Sequence, residues 1–262
     1  MSAPSPTDAG DAPIRVSGLR TTFGDKVIHE DLDLEVRRGE ILGVVGGSGS
    51  GKSVLLNTIL GLKRPDGGTV EIFGRNIDDA DAQADIERRI GVMFQQGALF
   101  SFLTVQENVE TPLLEHAHLS KGFVRDLARL KIKLAGLPDN AGALKPSELS
   151  GGMRKRAGVA RAIALDPDIL FLDEPTAGLD PIAAGEFDDL VKTLREALGL
   201  TVFMITHDLD TLYAICDRVA VVADRKIVAV APVAELEQSD HPWIKSYFLG
   251  PRGRAAKKQK EG

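Results

Sequence analysis

The segment Gly46-Gly47-Ser48-Gly49-Ser50-Gly51-Lys52-Ser53 fits G-x-x-x-x-G-K-[ST], with the apolar run Ile41 to Val45 before it and a helix-compatible run from Val54 to Leu62 behind it. A buried strand must therefore turn sharply through glycines into a helix. The glycines let successive backbone N–H groups face one anion, and the helix opening near Lys52 points its positive end at the same place. Lys52 is expected to reach the β- and γ-phosphates of a nucleoside triphosphate, with the Ser53 hydroxyl on Mg²⁺. A ligand-free glycine turn is the plain alternative. The strand before the loop and the helix after it favour phosphate.

With 262 residues and 43% hydrophobic content, the chain can bury a full core, and one large α/β domain with an inserted subdomain is the economical arrangement. The net charge of −6 argues against a nucleic-acid surface over the whole molecule, because phosphate backbones require a basic face. The single cysteine, Cys216, excludes an internal disulfide framework and a thiolate metal site, and its apolar neighbours read as core. Residues 1–13, rich in Ser, Pro, Ala and Asp, read as a disordered tail without signal-peptide character. No run of 18 apolar residues occurs, so the chain is not expected to span a membrane by itself.

Apolar residues alternate in short runs from Ile14 to Val36, split by Gly24-Asp25-Lys26, as in an antiparallel β section. Thr69 to Phe73 is expected as another strand behind the turn Arg64-Pro65-Asp66-Gly67-Gly68, and Ile90 to Phe94 as a core strand. The segment 103–160 reads as a mostly helical insertion, including a helix over Phe123 to Leu134. Next come a helix from Met153 to Leu165, a buried strand at Ile169 to Leu172, a helix from Ala183 to Leu198, and strands at Val202 to Thr206 and Arg218 to Val222. This alternation predicts an α/β fold of phosphate-loop type: a parallel core sheet covered on both faces, with an antiparallel β subdomain and a helical subdomain. The domain is drawn as 14–240 and a C-terminal extension as 241–262.

Ile169-Leu170-Phe171-Leu172 runs directly into Asp173-Glu174. An acidic pair at the carboxyl end of a buried strand lies in the crevice where open α/β sheets bind ligands. Asp173 is thus the expected Mg²⁺ partner and Glu174 the residue that polarises an attacking water. About 20 residues earlier, Ser150-Gly151-Gly152 stands before the helix drawn from Met153, where a hydroxyl and two amides form a second anion site. An isolated S-G-G is ordinary cap chemistry; its position gives it weight.

The order GGSGSGKS, LSGGM, ILFLDEP, AGLD and ITHD resembles the ATP-binding subunits of ABC transporters, over roughly Ile14 to Val233. The resemblance implies ATP as ligand, bound by Gly46, Gly47, Ser48, Gly49, Ser50, Gly51, Lys52, Ser53 and Val54, with Phe23 stacked on adenine. It implies that Gln95 senses Mg²⁺ and the membrane partner, that Asp180 is the aspartate of the loop before the next helix, and that His207 contacts the γ-phosphate. Each has a plainer role available: Gln95 a polar strand end, Asp180 a helix N-cap, His207 a strand cap, and Phe23 core. It also implies a head-to-tail homodimer in which Ser150, Gly151 and Gly152 of one copy meet the γ-phosphate held by the other. Lys52, Ser53, Gln95, Asp173, Glu174 and His207 then act within their own chain.

Met153 stands where most such signatures end in Gln. With Phe94-Gln95-Gln96-Gly97-Ala98-Leu99-Phe100, Pro112-Leu113-Leu114-Glu115-His116 and Met153-Arg154-Lys155-Arg156, it is similar to the Mla-type lipid-transport ATPases of Gram-negative envelopes. That branch implies a multi-spanning permease dimer seated on the Gln95 to Thr104 segment, a periplasmic lipid-binding subunit and a small STAS-domain subunit. It also implies a place on the cytoplasmic face of the inner membrane, held there through the permease only. Trp243 with Tyr247 and Ile244 with Phe248 recur at i, i+4, a face that either docks on a partner or packs on its own domain. The last residues carry Arg252, Arg254, Lys257, Lys258 and Lys260, read as a solvated end ahead of a contact with anionic headgroups. Two rivals stay open: an ABC ATPase serving ribosomes or DNA repair, and one that regulates envelope machinery without transport. The first usually brings two cassettes or a long coiled-coil insertion, and neither occurs here.

Overall fold

The computed structural model describes residues 12–250 except Gln96 and His118. Most of the N-terminal tail, the basic C-terminal run and Gln96 of the lipid-branch segment therefore lie outside the described residues.

Two sheets organise the chain. β1 (Ile14–Phe23) and β2 (Lys26–Val36) form an antiparallel hairpin, joined by β4 (Gly67–Ile72) and β5 (Arg75–Asn76) in the order β2-β1-β4-β5. The third strand ends at Ile72, short of the predicted Phe73, because Phe73 takes a left-handed backbone (φ 53°) and Arg89 stacks 3.7 Å from its ring. The second sheet holds β3 (Ile41–Gly46), β6 (Ile90–Met93), β7 (Ile169–Asp173), β8 (Thr201–Ile205), β9 (Arg218–Ala223) and β10 (Lys226–Ala231), in the order β10-β9-β3-β8-β7-β6. Its strands are parallel except β10, which pairs antiparallel to β9. Continuous apolar runs such as Ile169-Leu170-Phe171-Leu172 are required here, since helices cover both faces.

Register then fixes the functional edge. Val44 of β3 lies beside Ile205 of β8, and Ile205 beside Asp173 of β7. Three loops therefore leave the sheet at one level: that after Gly46, that after Asp173, and that leading to His207.

The helices are α1 (Lys52–Ile59), α2 (Ala80–Arg89), α3 (Val105–His116), α4 (Lys121–Leu134), α5 (Gly151–Ala162), α6 (Pro181–Leu198), α7 (Leu209–Ile215), α8 (Val233–Leu236) and α9 (Pro242–Leu249). The sequence places α1 and α5 two residues late and three too long, and α6 two residues late. For α5 and α6 the physical cause of the earlier start is side-chain capping. Ser150 accepts the Met153 N–H and so admits both signature glycines into the first turn of α5; Asp180 accepts from Ile182 and Ala183, with Pro181 preset for the first helical position. Helices α3, α4 and α5 share a separate core, Val109, Leu113, Val124 and Ala157 among it. No helix among the described residues is long and apolar enough to cross a membrane.

At the C-terminus, Ile244 and Phe248 are buried in a cluster with Val45, Leu209, Leu212 and Val221. Of the two readings of that face, this half packs on its own domain. Burying both side chains contributes about 3–6 kcal/mol.

Candidate active site

The phosphate loop is shaped by close packing. A Cβ on Gly46 would stand 2.5 Å from the Val222 carbonyl oxygen, and one on Gly51 would stand 2.4 Å from His29 Nε2. Gly51 also has φ +102°, a backbone that side chains avoid, and it caps α1 without a side-chain hydrogen bond. The first N–H groups of α1 have no acceptor within the helix and suit an anion, whereas the Ser50 amide donates to the Gly47 carbonyl at 3.1 Å. Lys52 Nζ donates to the carbonyls of Gly46 (2.8 Å) and Gly47 (3.3 Å), so the ammonium folds over the loop it would share with a phosphate. Burial holds it below the usual lysine range, against the opposing pull of Glu174 and Asp173.

Opposite the loop, Asp173 ends β7 and Glu174 turns away in a left-handed conformation (φ 48°), its amide donating to the Ile205 carbonyl at 2.9 Å. That turn presents the Glu174 carboxylate to His207: Oε2 lies 2.6 Å from Nδ1, with the glutamate side chain 16% exposed and the imidazole 69%. Burial first, then the adjacent Glu174 charge, raises the Asp173 carboxyl, while Lys155 and Lys52 oppose the rise. The sheet thus brings Lys52, Asp173, Glu174 and His207 to one crevice. Phe23, at the tip of the β1–β2 hairpin, is 66% exposed, and its only described ring contact is Lys63 Nζ at 5.8 Å. Being exposed, it is not core.

Ser150, Gly151, Gly152, Met153, Leu179 and Asp180 share a different groove of about 430 Å³, which no phosphate-loop residue lines. A Cβ on Gly152 would meet nothing within 4 Å, so packing within this chain does not explain the glycine. Both Ser150 and Asp180 spend their side chains on caps. Gln95 lies in an exposed turn after β6.

Sequence reasoning missed two residues here. Lys155, buried on α5, donates to the carbonyl oxygens of Gln95 (2.5 Å) and Glu174 (3.0 Å), tying the signature helix to both loops. Helical periodicity held the signal, since Lys155 falls on the face of Gly158, Val159 and Ala162. His29, fully buried on β2, contacts Thr21 Oγ1 through Nδ1 (2.8 Å) and aims Nε2 at Gly51 with no hydrogen-bond partner.

Burial, with a smaller contribution from Lys63, lowers the His29 pKa to about 4. The folded state therefore holds it neutral while the unfolded chain binds a proton below the ordinary value. Stability is complete above about pH 6.5 and falls as pH drops toward 4, by up to about 3 kcal/mol. Urea unfolding between pH 7 and 4.5 should show a shallower acid loss in His29→Leu than in the parent; equal pH slopes would contradict this account.

A glycine phosphate loop and an acidic pair at the carboxyl edge of a parallel sheet, with one strand between them, define a phosphate-loop nucleoside triphosphatase. Within that class, the family model described as ABC transporter matches residues 29–177, and the chain belongs to that family. It is an ABC-type ATPase. Over 90% of both chains it is 39% identical to the intermembrane phospholipid transport system ATP-binding protein MlaF of Haemophilus influenzae. It is also 36% identical to the "Probable ribonucleotide transport ATP-binding protein mkl" of Mycobacterium leprae, over 91% of this chain and 69% of that one. Among solved structures, the dimeric post-hydrolysis state of the ATP-binding cassette MJ0796 bound to ADP and Pi matches with a TM-score of 0.76 and 32% identity, covering 84% of this chain and 98% of that one.

Proposed function

We propose that two copies of this chain close head to tail around two ATP molecules and drive a membrane permease that moves phospholipid between the membranes of a Gram-negative envelope. The observation carrying the ATPase half is the register of Val44, Ile205 and Asp173, from which the phosphate loop, Glu174 and His207 follow at one end of the sheet. In each site the Gly46–Val54 segment cradles the phosphates, and Phe23 stacks on adenine. Glu174 orients water for attack on the γ-phosphorus and takes its proton as the bond to ADP breaks. His207, hydrogen-bonded to Glu174, faces the γ-phosphate. Ser150, Gly151 and Gly152 of the second copy close the far side, with Asp180 beside them. This division accounts for a glycine at 152 that the single chain does not need.

Among the described residues no cluster of three or more His, Cys, Asp or Glu could cage a metal. Mg²⁺ fits the donors present, a hydroxyl, a carboxylate and an amide oxygen, since it prefers oxygen and takes few protein ligands beside waters and phosphate. Ser53, Asp173 and Gln95 would hold it, and it would neutralise charge on the phosphates.

Phospholipid as cargo rests on the likeness to MlaF, together with Met153 and the Phe94 to Phe100 segment. Phe102, 70% exposed, packs tilted against Phe100 at 5.9 Å and 47° and gives the Gln95 to Thr104 segment an apolar surface for a permease helix. Through it the ATPase would sit on the cytoplasmic face of the inner membrane, with a periplasmic lipid-binding subunit and a STAS-domain subunit as further partners. The likeness to mkl supports a second reading, an importer or exporter of a different solute. Native purification from membranes with mass analysis separates the two: a multi-spanning permease with bound phospholipid is expected. Recovery of the permease without lipid, or no permease at all, would contradict the proposal.

A further inference from the structure

Helix α9 packs against the elements that carry two of the three loops of the candidate site. Val45, which shares its buried cluster, is the last strand residue before the phosphate loop; Leu209 and Leu212, also in the cluster, open α7 just after His207. Phe248 anchors this arrangement edge-on to Tyr213 (6.5 Å, 84°) and to Tyr247 (5.1 Å, 87°). From the anchored helix two aromatic side chains reach toward the crevice. Trp243 and Tyr247 stack on each other at 4.8 Å and 15°, as i, i+4 spacing allows. The Tyr247 hydroxyl donates to the backbone carbonyl of His207 at 3.1 Å. The Trp243 indole nitrogen comes within 3.4 Å of where a Cβ on Gly47 would stand.

The geometry points to α9 as a strap that sets the active site: Tyr247 is a positioning residue for His207, and Trp243 fixes its distance from the phosphate loop. The inference rests on the reading of Glu174 and His207 given above. The His207 ring is largely exposed and meets Glu174 at 2.6 Å, so a hold on its backbone bears directly on where the ring lies. A hydrogen bond to the carbonyl of His207 itself, from a helix whose other face is fully buried, supplies that control. The stacked indole carries it to Gly47, so entry of a nucleotide at the phosphate loop and placement of His207 are mechanically joined. The i, i+4 aromatic face thus divides its labour: Ile244 and Phe248 hold the helix, and Trp243 and Tyr247 serve the site.

Tyr247→Phe removes only the hydroxyl and keeps the stack. In the full-length protein kcat for ATP should fall about three- to tenfold, with KM within about twofold, because the lost hydrogen bond acts on the geometry of attack and not on nucleotide affinity. A merely structural role would lower the melting temperature and leave kcat per folded molecule unchanged, which would overturn the proposal. In a double-mutant cycle Tyr247→Phe should add nothing to His207→Ala; additive losses would also overturn it. Trp243 is the single tryptophan of the chain, so its emission reports on the strap directly. Emission should shift when ATP is added to the Glu174→Gln protein, and an emission indifferent to bound ATP would contradict the link to Gly47. Should His207→Ala and Glu174→Gln both hydrolyse ATP at the parent rate, the reading of the site fails. Should they lose turnover while Tyr247→Phe keeps it, only the strap fails.

Discussion

Glu174→Gln should retain ATP and lose hydrolysis by about 100-fold or more. The expectation follows from where the chain puts this carboxylate: at the end of β7, turned by a left-handed backbone toward His207, with its oxygen 2.6 Å from the imidazole. Amide for carboxylate preserves shape and leaves no base to take the proton of the attacking water, a loss on the order of 10²- to 10⁴-fold for a positioned general base. Nucleotide affinity should hardly change, because the proposed grip on the phosphates comes from the loop and Lys52. Single-turnover hydrolysis and equilibrium ATP binding, measured on the same preparation, check both halves. Parent-rate hydrolysis would remove Glu174 from the mechanism.

The second large effect is the converse. Lys52→Ala should weaken ATP binding by about 2–3 kcal/mol, or roughly 30- to 150-fold in Kd, as a charged hydrogen-bond donor to the phosphates is lost. In the free protein the ammonium is occupied by the carbonyls of Gly46 and Gly47, so the gain from ATP is a net one, phosphate oxygens replacing two backbone acceptors. Fold stability should change little, since the side chain is only partly buried. Unchanged ATP affinity by calorimetry would sink the phosphate-loop argument.

Why these two residues were legible in the sequence, and Lys155 was not, has a physical basis. Lys52 and Glu174 belong to local signals: a strand, a loop of fixed length and a helix in one case, an apolar strand ending in carboxylates in the other. Each can be read within about ten residues, since the backbone that orients the side chain is the motif itself. Lys155, His29 and Tyr247 act through contacts 8 to 60 residues away in the chain. Nothing in Arg154-Lys155-Arg156 says that the middle side chain turns inward, apart from the helical period of the small residues after it. His29 sits among the alternating residues of β2 and looks like any strand histidine until the sheet packs Gly51 against its ring. The strand order was likewise beyond local reading. Alternation of strands and helices implied a parallel sheet, but the adjacency of β3, β8 and β7, which assembles the site, is a property of the tertiary fold. The start of α5 lies two residues before the one the sequence suggests for a simpler reason. Glycines of low helical propensity were read as loop, whereas a Ser150 cap draws Gly151 and Gly152 into the first turn.

The central claim is that the phosphate loop of one copy is completed by Ser150, Gly151 and Gly152 of another. Gly152 offers a direct test, because a side chain there meets nothing within 4 Å in the single chain and so should leave its fold intact. The mass in solution of the Glu174→Gln protein, measured with ATP and Mg²⁺, should be twice 28.1 kDa, and that of Glu174→Gln carrying Gly152→Asp should stay at 28.1 kDa, since the added carboxylate would face the γ-phosphate of the other copy. A doubled mass that forms without ATP, or that survives Gly152→Asp, would contradict the account.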